Sequence, residues 1–105
     1  MKLIQYTGPF IAGKDSISIS KDMNYKIIHV GFACPDTWPI EFLAHDYKDN
    51  YSKYCDVKFN GQVYHISDLG ILEFDNLAET YVEIEFLRDL PFGTIIDIAY
   101  EQMEV

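Results

Sequence analysis

Two cysteines, six glycines and four prolines in 105 residues leave this chain short of several familiar devices. Cys34 and Cys55 alone cannot make the disulfide framework that staples small secreted domains. No apolar stretch approaches the roughly 18 residues of a membrane span. The opening Met1 to Pro9 carries one lysine but no apolar run of a leader's length, so no secretory signal is expected. The thiols are therefore expected to be reduced, in a soluble protein made in the cytosol. Basic residues are scarce where acids are dense. Residues 61–105 hold Arg88 against ten acids, whereas residues 1–60 balance seven lysines against seven acids, so the net charge of −9 belongs to the last segment. Such a surface repels phosphate backbones, which disfavours direct nucleic-acid binding and leaves a basic protein, a cation or, first of all, plain solvation.

There are also no repeats, no low-complexity tract and no linker, so residues 1–105 are read as one domain. At 49% apolar and 24% charged, the composition is that of a chain that folds. Seven Phe, eight Tyr and one Trp favour pleated, half-buried surfaces.

Strand signals dominate. Ser16 to Ser20 alternates, placing Ile17 and Ile19 on one face and three hydroxyls on the other. Tyr25 to Ala33 is apolar on both faces, with Ile28, Val30 and Phe32 on one side and Ile27 and His29 on the other, as for a central strand. Asn60-Gly61, between Lys53–Phe59 and Gln62–Ile66, is the preferred pair for a two-residue type I′ turn. That turn sets Phe59 opposite Gln62, Val57 opposite Tyr64, Cys55 opposite Ile66, Lys58 opposite Val63 and Asp56 opposite His65. Leu69 to Phe74 follows as a strand. Thr80 to Leu87 directs Val82, Ile84 and Phe86 inward, and Thr94 to Tyr100 directs Ile96, Ile98 and Tyr100 inward. Residues 38–54 are ambiguous. Ile40, Leu43, Ala44, Tyr47, Tyr51 and Tyr54 recur at helical spacing, but Asp46, Asp49 and Asn50 suit turns, which favours a strand at 40–44 and a polar loop over one short helix. The expected fold is all-β: an antiparallel β-sandwich, jelly-roll or immunoglobulin-like, of about eight short strands.

No catalytic signature is present. Cys34, Cys55, His29, His45 and His65 are parts of a nucleophilic site without its surrounding motif, and no catalytic residue is assigned. Asp56 and His65, which the turn sets side by side, are expected to be a cross-strand pair worth a few tenths of a kcal/mol. Zinc lacks paired ligand spacing. The loop His45 to Asn50 lacks the calcium-loop spacing and its central glycine, so no metal or cofactor is expected. Trp38, Tyr47, Tyr51 and Tyr54 are the candidate ligand-binding residues, because flat amphipathic rings hold sugars and extended peptides; the plainer reading makes Trp38 core and the tyrosines its cover. Glu83, Glu85 and Asp97 read as one exposed acidic row that solvates a sheet or guards its edge.

From Asp56 onward the chain resembles small β-sandwich modules of bacteriophage and prophage virions, from tails, baseplates and fibres. The resemblance lies in the Asn60-Gly61 hairpin, Gly70-Ile71-Leu72-Glu73-Phe74-Asp75, Leu87-Arg88-Asp89-Leu90-Pro91 and Thr94 to Tyr100. It implies a non-enzymatic module that self-associates or binds other virion proteins, located in the virion or the host cytoplasm, and it assigns no residue roles. Two other classes are kept: a carbohydrate-binding module using Trp38 and the loop tyrosines, and a small acidic inhibitor of a basic, nucleic-acid-binding protein.

Overall fold

A computed structural model describes residues 1–21, 24–35, 56–67 and 69–103. Among them run eight strands: β1 (Lys2–Thr7), β2 (Ser16–Ile19), β3 (Tyr25–Ala33), β4 (Val57–Phe59), β5 (Gln62–Tyr64), β6 (Ile71–Phe74), β7 (Val82–Phe86) and β8 (Ile95–Gln102). They form two four-stranded sheets, β1-β8-β3-β6 and β2-β7-β4-β5, in which every pairing is antiparallel. The pairs β1·β8, β2·β7, β3·β6 and β4·β5 are nested, as in one long hairpin folded at Asn60-Gly61 and then rolled up. Among the described strands, only β4 and β5 are neighbours both in sequence and in a sheet. That order is a jelly roll and differs from an immunoglobulin sandwich, where consecutive strands pair more often.

Period-2 alternation builds the core. β2 buries Ile17 and Ile19, and β7 buries Val82, Ile84 and Phe86 while Glu83 and Glu85 face out. Val30, Phe32, Ile96 and Ile98 from the facing sheet have essentially no exposure. Each such side chain contributes about 1.5–3 kcal/mol of burial. Loop residues complete the packing: Phe10 bridges to Leu90 and stacks on Phe86 at 4.6 Å between ring centroids.

The hairpin has the register set by its turn, with Val57 opposite Tyr64, Lys58 opposite Val63 and Phe59 opposite Gln62. Asn60 and Gly61 have φ of 46° and 87°, as a type I′ turn requires. Asn60 also ties the turn to β7: its Nδ2 donates to Tyr81 O at 3.1 Å, and its Oδ1 accepts from Glu83 N at 2.8 Å.

Three expectations change. A β-bulge in β3 shifts the register between Ile27, opposite Tyr100, and His29, opposite Ala99. Ile27 and Val30 both face the core as a result, and Ile28, which simple alternation grouped with Val30 and Phe32, is only half-buried. Lys2–Thr7, whose weak alternation gives no strand signal, forms β1 by pairing with β8. The acidic row also divides. Glu83 and Glu85 lie on β7, an interior strand of one sheet, and Asp97 lies on β8 of the other, where it accepts from Gln5 Nε2 at 2.8 Å, so the three neither form one row nor guard an edge. The ambiguous segment 38–54 lies outside the described residues, and no α-helix occurs among those described.

Candidate functional site

The most unusual chemistry gathers just beyond the open end of the β4–β5 hairpin. The ladder continues one residue past the strands, since Asp56 N donates to Tyr64 O at 2.9 Å. This places Asp56 beside His65, as the turn register predicts, but the setting is not a solvated sheet face. Asp56 has no exposure at all. Its Oδ2 meets His65 Nδ1 at 2.6 Å and accepts from Ile66 N at 2.8 Å. Its Oδ1 lies 3.3 Å from Arg88 Nη1, an ionic contact without hydrogen-bond geometry. Leu87 N donates to Asp56 O at 2.7 Å. One residue thereby ties together the hairpin, the segment after β5 and the end of β7.

Burial drives the Asp56 carboxyl above its ordinary pKa, against the opposing pull of the Ile66 amide and the charges of His65 and Arg88. The Cys34 thiol is close enough to feel both Asp56 and Arg88. Its pKa is raised, chiefly by burial and also by Asp56, with Thr94 and Arg88 opposing. Thr94 Oγ1 stands 3.8 Å from Cys34 Sγ and 2.8 Å from Pro91 O, the shorter of its two contacts. Cys34 is a free thiol.

A carboxylate that holds Nδ1 of a histidine is also the orienting half of a catalytic triad. Here the His65 side chain is 7% exposed, and the thiol near the cluster is held in its protonated form rather than activated. Two surface hollows, of 660 and 440 Å³, lie over β2 and β7 and are lined by neither Asp56, His65, Arg88 nor Cys34. The contacts of Asp56 link the hairpin, His65 and Ile66 after β5, and Leu87 and Arg88 after β7. A second His–Asp pair, His29 Nδ1 to Asp75 Oδ1 at 2.6 Å, sits on the outer face of the other sheet; no sequence signal joins those two residues, because the pairing of β3 with β6 is non-local. Among the described residues no three His, Cys, Asp or Glu side chains are arranged to hold a metal ion. Trp38, Tyr47, Tyr51 and Tyr54, with His45, Cys55 and the loop 45–50, lie outside the described residues.

The same end of the sandwich presents apolar side chains to solvent. Cys34 N donates to Gly70 O at 2.7 Å and Gly93 lies beside Pro35, so the 69–70 and 92–93 turns flank the end of β3. Leu69 and Phe92, on those turns, are each 82% exposed, and Ile71 is partly exposed nearby. No family model, no curated protein and no solved structure matches the chain.

Proposed function

We propose that this protein is a non-enzymatic structural or docking module whose loop end, marked by Leu69 and Phe92, binds protein. The carrying observation is that two large apolar side chains stand almost fully in water on turns pinned by backbone hydrogen bonds, Cys34 N to Gly70 O and Thr94 N to Pro91 O. Apolar groups presented on a fixed scaffold suit association, because little conformational freedom is lost on binding. The likeness of the C-terminal half to virion modules fits assembly with other virion proteins or with further copies of itself. The acidic-inhibitor reading draws less support, since Glu83 and Glu85 belong to one sheet and Asp97 to the other.

A photo-crosslinking residue at position 92 tests this. Adducts with a defined protein, or with a second copy of the chain, are expected, and they should disappear when Leu69→Asp is added. Products confined to the same molecule would sink the reading.

A further inference from the structure

Among the described residues the sheet edges are β1, β6, β2 and β5. An open edge offers unpaired N–H and C=O groups, and proteins protect such edges with shortness, charge, proline or bulges. β5 has three residues. β2 has four and is flanked by Lys14, Asp15 and Lys21. β6 has four, includes Glu73 and is followed by Asp75. β1 is the longest of these edges, with six residues, an unbroken register with β8 and, in a chain of net charge −9, no acid; its one charge, Lys2, stands at its first residue, and Pro9 lies beyond its last.

Its hydrogen bonding is readable from its end. Gly8 N donates to Thr94 O at 2.8 Å, one step beyond the Thr7–Ile95 pair. Hydrogen-bonded pairs alternate along an antiparallel ladder. Tyr6, Ile4 and Lys2 therefore bond to β8, while the N–H and C=O of Leu3, Gln5 and Thr7 point away from the sheet. On the core face, Ile4 and Tyr6 are only half-buried, whereas Ile96 and Ile98 beside them are fully covered.

We infer that β1 is a homodimerisation edge: two copies pair their β1 strands antiparallel across a two-fold axis at Gln5, joining two four-stranded sheets into one. Sheet continuity requires residues of like facing to lie opposite one another. With Gln5 opposite Gln5, Leu3 lies opposite Thr7, and every outward N–H and C=O of these residues finds a partner. The same register sets Ile4 opposite Tyr6 of the second copy in the closely spaced, non-hydrogen-bonded positions, which covers the two half-buried core side chains. A second copy fits better than a different partner because the exposed pattern is self-complementary and this edge lacks the acids that would repel an identical one.

This inference rests on reading the chain as an assembly module, and the test separates the two. Gln5→Pro removes an outward N–H without touching the ladder to β8, and Gln5→Ala controls for the side-chain bond to Asp97. Sedimentation equilibrium should give a dimer for the wild type and Gln5→Ala, with self-association at least about 30-fold weaker in Gln5→Pro. A dimer unaffected by Gln5→Pro overturns the edge and leaves the module reading standing. A monomeric wild type that still crosslinks through position 92 does the same, and a monomer without such adducts overturns both. Should Gln5→Pro not fold, amide exchange on the wild type decides: protection of Leu3, Gln5 and Thr7 that rises with protein concentration supports the edge, and concentration-independent exchange overturns it.

Discussion

Asp56 and His65 stand one residue beyond the two ends of the β4–β5 hairpin, and their side chains meet at 2.6 Å with the carboxylate wholly buried. Arg88 reaches the other oxygen from the end of β7. Replacing Asp56 by Ala strands the polar partners, including the Ile66 amide, and should cost about 3 kcal/mol or more in urea unfolding. A cost below about 1 kcal/mol would show that the cluster does not hold this end together.

The same carboxyl has a pH signature. Its folded pKa is raised, so the folded state holds the proton more tightly than the unfolded chain does. The stability it contributes is complete below about pH 4, its unfolded value, and is lost as pH rises through the raised folded value. The cost of Asp56→Asn should therefore be largest in acid and shrink as pH rises, when wild type and variant are unfolded at a series of pH values. A cost that grew with pH would reverse the assigned sign.

Cys34 should be slow to react. With its thiol pushed up mainly by burial, alkylation near neutral pH is expected to run about tenfold or more slower in the folded protein than in urea. Mass spectrometry of samples treated with iodoacetamide and quenched at timed intervals with excess dithiothreitol measures this, and equal rates would contradict the buried environment.

Two glycines should respond unequally to alanine. Gly61 and Gly70 both have positive φ, at 87° and 77°, so each substitution meets a backbone cost of about 1–2 kcal/mol. A Cβ at Gly61 points into open space, but one at Gly70 lies 3.1 Å from both Cβ and O of Cys34. Gly70→Ala should thus destabilise by about 1–3 kcal/mol more than Gly61→Ala, as measured by paired thermal unfolding. Equal costs would mean that the Cys34 segment gives way freely.

What the residues disclosed in advance was local. Asn60-Gly61 set the hairpin register and put Asp56 beside His65, and alternation marked the inward faces of β2 and β7. What they withheld was non-local. Nothing in the order of residues brings β7, and with it Arg88, against β4, so from the sequence a buried ionic cluster reads as an ordinary cross-strand polar pair worth a few tenths of a kcal/mol. The bulge at Ile28 was hidden because residues on both faces of β3 are apolar and either assignment looked sound. β1 is illegible in the sequence for a related reason: Lys2 to Thr7 alternates weakly and becomes a strand against β8.

The nested pairing has a consequence in time. The turn at Asn60-Gly61 joins strands a few residues apart, whereas the outermost pair sets Lys2 against Tyr100. Closing progressively larger loops costs more chain entropy at each step, and topologies dominated by distant contacts fold in milliseconds to seconds rather than microseconds. The chain should zip from its middle outward, with the seam between its first and last strands the latest to form and the earliest to fray.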